Sequence, residues 1–359
     1  MIEHIYRFPT EGKPVSCVQI KSGHINRTYL IETDAGVKYI LQWVNPYVFP
    51  NIDAIMDNMT ALREHLEKNP RGDVPMISYI DTHEGKSYYR DSDGGCWRIY
   101  KFVPNSVCLQ YSQDIEDFYE SAKAFGSFLN AFCDFPAEKL QESIVNFHHT
   151  PDRYRQLRQA LSEDCCGRAS QVQRELDYIF SREDEGCLLH RMRESGQLPT
   201  RVTHNDTKIS NVLLHEDSRR AICVIDLDTV MPGLSAHDFG DAIRYGASTA
   251  EEDEPDQSRV SLDTERYRVF LRGYLEACPG LTDTEIRMLP RGAFVMSLEV
   301  GIRFLTDYLK GDKYFAISRP QQNLDRCRSQ LKLSYDIEQK FELLQQITLE
   351  EAVRLGREL

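Results

Sequence analysis

The chain has 359 residues, with 43 Lys and Arg against 56 Asp and Glu and a formal charge of −13; its pI is about 5.3. At ~150 residues per domain this length suggests two domains or two lobes of one enzyme, and 41% apolar with 10% aromatic residues excludes global disorder. The acidic excess excludes a general nucleic-acid binder, which needs a basic surface, but not a nucleotide substrate held in a locally positive pocket.

The first hundred residues read as strands over 15–21, 28–33 and 38–44, with a Gly23 loop between the first two and an Asp34-Ala35-Gly36 hairpin turn before the third. Ile52, Ile55, Met56, Met59, Leu62 and Leu66 then recur at helical spacing, which predicts a helix over 51–68. Two more strands flank the turn at 91–95. Pro104-Asn105-Ser106 marks a break that divides the chain into 1–103 and 104–359. Beyond it Ile115, Phe118, Tyr119, Ala122, Phe125, Leu129 and Phe132 make one apolar helical face. Polar helices follow over 151–161 and 169–193. Short strands around a polar loop interrupt the helical region once, over 201–228. The acidic run 251–256 reads as a solvated loop. No stretch nears the ~20 apolar residues that cross a bilayer, and residues 1–9 lack a basic segment followed by an apolar run, so no membrane role and a cytoplasmic location are expected. Ten cysteines without C-x-x-C spacing read as reduced thiols, with Cys17, Cys96, Cys133 and Cys223 as small core residues.

The chemistry-bearing segment is 202–229. It contains His204-x-Asp206-x-Lys208-x-x-Asn211, and fifteen residues after Asn211 an apolar strand delivers Asp226. Phosphoryl transfer requires such groups: a carboxylate to accept the acceptor's hydroxyl proton, hard oxygen ligands for Mg²⁺ on the phosphates, and a cation to balance charge. Asp206 is placed as the base, Lys208 as the γ-phosphate cation, and Asn211 with Asp226 as the metal ligands. Each residue alone could be a turn cap or strand terminus; their order and spacing together point to catalysis. His204 is expected to orient the loop by hydrogen bonding. Asp238-Phe239-Gly240 spells a protein-kinase metal motif but follows Pro232-Gly233 rather than an apolar strand, so Asp238 and Asp241 read as supporting carboxylates.

These motifs resemble the aminoglycoside-phosphotransferase/choline-kinase superfamily. Within it the chain is similar to the N-acetylhexosamine 1-kinases, through the segments 23–29, 97–102, 147–151, 204–208, 224–233, 238–241 and 301–315. The resemblance implies an α+β, protein-kinase-like bilobal fold, with a small antiparallel sheet and one helix in a nucleotide-binding lobe and a mostly helical second lobe. It implies ATP- and Mg²⁺-dependent phosphorylation of the C1 hydroxyl of N-acetylglucosamine or N-acetylgalactosamine by a monomer. His24, Asp228, Arg303 and Tyr314 would line the sugar pocket. Gly23 would lie in the phosphate loop, and Tyr100, Lys101 and Val103 in an adenine hinge recognised through backbone groups. Glu299, Arg303 and Asp307 share one helix face at i, i+4 spacing, which fits either a pocket wall or a surface salt-bridge row.

Two features depart from protein kinases. Their third strand carries a lysine for the α/β-phosphates; here that strand offers only Lys38 at its start, with Gln42 and Trp43 near the usual position. The phosphate loop has one glycine, which favours a small-molecule kinase. A kinase for an amino alcohol or aminoglycoside, and a ligand-binding pseudokinase, remain the alternatives.

Overall fold

A computed structural model describes residues 2–20, 26–70 and 76–359. The Gly23 and His24 assignments lie outside the described residues. Five antiparallel strands, β1 (Pro14–Ile20), β2 (Arg27–Thr33), β3 (Lys38–Val44), β4 (Tyr89–Arg90) and β5 (Cys96–Lys101), form a sheet in the order β1-β2-β3-β5-β4. Helix α1 (Ile52–Lys68) follows β3, its first turn capped by the Asn51 side chain accepting from the Ala54 N–H.

β3 and β5 read as nearly continuous apolar runs because both sheet faces are covered. Ile5, from the N-terminal 3₁₀ turn Ile2–Arg7, and Phe8 just after it pack with Tyr39, Leu41, Trp97 and Ile99 on one face. Ile40, Val44, Cys96 and Tyr100 point the other way and join α1 and the main core. Alternation along the strand therefore places Gln42 and Arg98, directly opposite each other in the β3–β5 register, on that inner face.

The next strand, β6 (Ser106–Cys108), pairs with a second sheet. It lies against β8 (Val212–His215), which forms a hairpin with β9 (Ala221–Val224). A separate two-stranded ladder joins β7 (Arg201–Thr203) to β10 (Met231–Gly233). The rest is helical: α2 (Ile115–Ala131), α3 (Thr150–Glu163), α4 (Gln173–Phe180), α5 (Glu183–Gly186), α6 (Leu188–Glu194), α7 (Ser235–Gly246), α8 (Thr264–Ala277), α9 (Asp283–Leu309), α10 (Gln322–Gln339) and α11 (Phe341–Arg354). The 27-residue α9 is the axis of this half: α3, α7, α10 and α11 all pack on it, and a Thr282/Glu285 capping box fixes its start. Among the described residues no helix is long and apolar enough to cross a membrane.

Beyond the short strands β6 and β10, which the sequence did not suggest, the structure differs from the sequence expectation in three places. The helix expected over 169–193 is a 3₁₀ turn followed by α4, α5 and α6, broken at Ser181–Arg182 and Cys187. At the first break the Ile179 carbonyl accepts from the Arg182 N–H in a tightened last turn and from the Tyr154 hydroxyl. The acidic run at 251–256 is not merely solvated. Glu252 accepts from the buried Arg244 at 2.6 Å, Glu254 pairs with Arg259 at 2.9 Å, and Asp253 accepts from Gln322. Cys96 and Cys223 are buried as expected, whereas Cys17 and Cys133 are only half-buried.

The α7–α9 contact is set by two glycines. A Cβ on Gly240 would stand 2.2 Å from the Gly292 carbonyl oxygen, and one on Gly292 would stand 2.0 Å from that of Ala236. The obstacle in each case is backbone, which cannot rotate away. Gly292→Ala is therefore expected to destabilise the protein by roughly 1–3 kcal/mol, the range for an overpacked core. Urea titration checks this, and an unchanged midpoint would refute the close approach.

Candidate active site

The β8–β9 hairpin brings the motif residues together. Val212 pairs with Val224, so Asn211 immediately precedes one strand and Ile225-Asp226 immediately follows the other. The Ile225 N–H donates to the Asn211 carbonyl at 2.9 Å, extending the ladder by one step. Asp226 then turns left-handed, with φ 58° and ψ 57°. A non-glycine residue in that region is strained, and such strain collects at functional sites. Its side chain remains open to solvent.

Asp206, Lys208 and Asn211 form one cluster. The Lys208 ammonium lies 2.9 Å from Asp206 Oδ1. The Asn211 Nδ2 group donates to Asp206 Oδ2 at 3.0 Å and to the Asp206 carbonyl at 2.8 Å. Asp206 keeps 28% of its side chain exposed, enough to meet a substrate. Partial removal from water pushes its carboxyl up, but Lys208, His204 and the Asn211 amide pull it down by more, to about 2. Burial works against the Lys208 charge, and Asp206 and Asp241 more than offset it, so Lys208 stays above the usual lysine range. The pair is thus a fixed carboxylate beside a fixed ammonium.

His204 orients this loop as its position suggested. Its ring is buried, Nε2 lies 3.0 Å from the Ile225 carbonyl, and Nδ1 accepts from the Asp206 N–H at 3.3 Å. That pattern requires the neutral ring protonated on Nε2, and burial lowers its pKa.

Asp238, in the first turn of α7, holds the loop from beneath. Its two oxygens accept from the His204 N–H at 2.8 Å and the Asn205 N–H at 2.7 Å. Asp241, three residues and about one helical turn further on, accepts from the Thr207 N–H at 3.1 Å while Arg244 donates to its other oxygen. Three loop donors, the N–H groups of His204, Asn205 and Thr207, are therefore satisfied by one helix, which also carries the Asp-Phe-Gly sequence. Burial pushes the Asp238 carboxyl up to about 7, against the two backbone donors.

Asp226 is the candidate metal carboxylate. The protein packed around it, together with Asp228 and Asp206, pushes its carboxyl up to about 7. A reachable carboxylate crowded by other carboxylates is one that a divalent cation stabilises. Asn211 is fixed through its NH₂ group by Asp206, leaving its amide oxygen as the hard donor. Among the described residues no group of three or more His, Cys, Asp or Glu could hold a metal alone. A donor set of one carboxylate and one amide fits Mg²⁺ that arrives with phosphates, since those supply the remaining oxygens.

The other expected residues are placed as follows. Tyr100 is buried at the end of β5, with its ring edge-on to Tyr79. Lys101 is exposed and pairs with Glu11 at 2.7 Å, so its side chain faces away from the inner sheet surface. The Val103 carbonyl accepts from the Ser106 hydroxyl. Asp228 is 1% exposed and does not stand open to a ligand: Arg98 lies 2.5 Å from its Oδ1, and Asn26 donates to its Oδ2 at 2.7 Å. Arg303 is half-buried, its guanidinium 5.0 Å from the Phe147 ring centroid and 5.6 Å from that of Phe315. Tyr314 is 51% exposed, and its ring stacks edge-on against Phe315.

The α9 face around Arg303 is not a surface salt-bridge row. Glu299 is fully buried and accepts from Thr150 and from His148, whose other ring nitrogen meets the Asn205 carbonyl at 3.0 Å. Asp307 accepts from the backbone N–H groups of Lys313, Tyr314 and Phe315. One acidic neighbour of Arg303 thus reaches the loop that carries Asp206 through His148, and the other shapes the turn that holds Tyr314. Sequence reasoning missed both roles and missed Arg153. Arg153 lies near Arg303 with its Nε unpartnered; burial and then Arg303 lower it to about 10.

Asp238→Asn should separate the loop's support from its chemistry. An amide offers one acceptor and turns a donor against the second backbone N–H, so a stability loss of about 1–3 kcal/mol is expected. Urea titration with a parallel measurement of kcat checks this. Wild-type values for both would show that the loop does not depend on the carboxylate.

Known proteins resemble the chain in sequence and in fold. The sequence pattern of the APH phosphotransferase enzyme family matches residues 16–274. The solved structure of a microcompartment-associated aminopropanol kinase superposes with a TM-score of 0.62 at 16% identity, covering 96% of this chain and 97% of that one. An amicoumacin kinase in complex with AMP-PNP, Ca²⁺ and Ami gives 0.61 at 13%, covering 92% of each chain. A Plasmodium vivax ethanolamine kinase gives 0.56 at 15%, covering 88% of this chain and 81% of that one.

Proposed function

The chain belongs to the phosphotransferase enzyme family, and from that premise we propose that it transfers the γ-phosphoryl group of ATP to the anomeric C1 hydroxyl of N-acetylglucosamine or N-acetylgalactosamine. The observation that carries the sugar reading is the surrounding of Arg303. Both acidic residues that flank it on α9 are engaged by protein groups, and a second arginine, Arg153, lies beside it. An ammonium-bearing substrate needs unpaired carboxylates there and meets two cations instead. A neutral sugar offers hydroxyl and amide oxygens to the guanidinium of Arg303 and an apolar ring face to Tyr314 and Phe147.

In this reading Asp206 accepts the C1 hydroxyl proton while the sugar oxygen bonds to the γ-phosphorus and the bond to the ADP oxygen breaks. Asp206 is ionised throughout the neutral range, so it is ready to accept without prior deprotonation. Lys208, held by Asp206, balances charge on the transferring group. Asn211 and Asp226 would hold Mg²⁺, which screens the phosphate charges when bound. Tyr100, Lys101 and Val103 would form the adenine hinge through their main chain. Amino alcohol or aminoglycoside phosphorylation is the second reading, in line with the substrates named for the similar structures.

Two variants test the assignment. Asp206→Asn should lower kcat by about 10²–10⁴, the usual contribution of a positioned base, while ADP affinity stays near wild type; undiminished turnover would remove Asp206 from the chemistry. Because its carboxyl lies near 2, the wild-type kcat should show no acid limb from Asp206 above pH 4. Arg303→Ala should raise the sugar KM about tenfold or more with little change in the KM for ATP, and an unchanged sugar KM would take it out of the pocket.

A further inference from the structure

In the segment Phe147-His148-His149-Thr150-Pro151, Phe147 lies against Arg303. His149 caps α3 by accepting from the Asp152 N–H, and Pro151 sits in the first turn of that helix, where proline is tolerated. His148 and Thr150 both meet Glu299 of α9. The His148 side chain is only 6% exposed, so its two ring nitrogens are matched by protein or not at all. Both face acceptors. Nδ1 lies 2.9 Å from Glu299 Oε1, and Nε2 lies 3.0 Å from the Asn205 carbonyl oxygen. A neutral imidazole has one N–H and one lone pair and serves only one of them. The carbonyl has no proton to give, so the His148–Glu299 pair must hold one proton more than a carboxylate beside a neutral ring. Imidazole is the stronger base and takes it. Burial pushes the Glu299 carboxyl up, but His148 and Arg153 pull it down by more, to about 2.

The carbonyl that His148 meets belongs to the peptide group joining Asn205 to Asp206. Histidines hold that group at both edges: His148 Nε2 donates to its carbonyl, and its N–H, that of Asp206, donates to His204 Nδ1 at 3.3 Å. Asn205 stands at φ 64°, outside any strand or helix that would fix the next peptide plane. The orientation of this plane sets the direction in which the Asp206 side chain leaves the backbone. If the His148 ring gave up its extra proton, the one remaining would stay on Nδ1, against the carboxylate. A lone pair on Nε2 would then face the lone pairs of the Asn205 carbonyl, and the contact would turn repulsive.

We infer that His148 is a positioning residue for phosphoryl transfer: as an imidazolium held by Glu299, it fixes the plane of the Asn205–Asp206 peptide and thereby the aim of the Asp206 carboxylate. The charged and titratable groups around it are Glu299 on α9, Arg153 on α3, and His237 and Asp238 on α7, with His190 and Arg193 of α6 acting on His237. The His237 ring lies 5.8 Å away, and burial, then His148, lower it to about 3, so it adds no second charge. The inference rests on the reading of Asp206 as the base but not on which acceptor is phosphorylated.

The test compares wild type, His148→Phe and His148→Gln by kcat and by the KM for ATP. The assay uses the best acceptor among N-acetylhexosamines, amino alcohols and aminoglycosides, from about pH 6 to about pH 9, the range that spans histidine titration. His148→Phe keeps a ring without a donor. It should lower kcat about 10–100-fold, the cost of a small misplacement of a catalytic group, with the KM for ATP within about twofold. His148→Gln sets an amide N–H near the Nε2 position and should recover most of that loss. Wild-type kcat should fall as rising pH takes the proton from the ring, and His148→Gln, whose amide does not titrate, should lack that fall. Urea titration shows whether each variant is folded; if His148→Phe is not, the pH profiles of wild type and His148→Gln carry the test. A His148→Gln as slow as a folded His148→Phe, wild-type kcat in both variants, or one pH profile shared by wild type and His148→Gln would each overturn the inference. A wild type that phosphorylates none of these acceptors would instead overturn the phosphotransfer reading on which it rests.

Discussion

The Asp238 carboxylate is the constraint on which the site depends. It accepts from two successive backbone N–H groups, those of His204 and Asn205, and so fixes the path of the chain just before Asp206. A loop that runs between two short strands has no ladder to satisfy its donors, and solvent would otherwise have to do so. With the loop pinned, Asn205 can hold a left-handed conformation, φ 64°, and Asp206 is delivered to Lys208 and Asn211 without conformational search. The cost is a buried carboxyl raised to about 7, which is tolerable only because both oxygens are matched.

α7 carries that carboxylate and α9 carries Glu299, Arg303 and Asp307. The close backbone contact at Gly240 and Gly292 therefore sets the distance between the loop support on α7 and the α9 face that carries Arg303. A second link runs through His148, which touches Glu299 with one ring nitrogen and the Asn205 carbonyl with the other. The α9 face that carries Arg303 and the loop that carries Asp206 are thus joined by one hydrogen-bonded network.

The sequence made the main sheet strands, α1 and the proximity of Asp206, Lys208 and Asn211 legible, because each rests on local periodicity or on a spacing confined to one hairpin. The 204–211 motif needs only its own loop, and Asp226 needs only the strand before it. What stayed hidden required contacts distant in sequence. Arg98 on β5 meets Asp228 far along the chain, and nothing in the local pattern around either residue announces the pair. Asp307, at i+4 from Arg303, fitted a pocket wall or a surface salt-bridge row equally well, because its role as an acceptor for the 313–315 backbone depends on how the chain folds back after α9. The acidic run at 251–256 looked solvated because its arginine partners come from α7, from the 3₁₀ turn at 257–259 and from the approach to α10. Composition locates charge; only tertiary structure shows which charges are paired.

The central claim is that the cluster around Asp206 phosphorylates the anomeric hydroxyl of an N-acetylhexosamine. Its most direct test is a Mg-ATP turnover screen of the full chain over N-acetylhexosamines, simple hexoses, amino alcohols and aminoglycosides, with ³¹P and ¹³C NMR identifying the phosphorylated carbon. The account predicts fastest turnover of an N-acetylhexosamine with phosphate on C1. Preferential phosphorylation of an amino alcohol or aminoglycoside, or of any carbon other than C1, would contradict it.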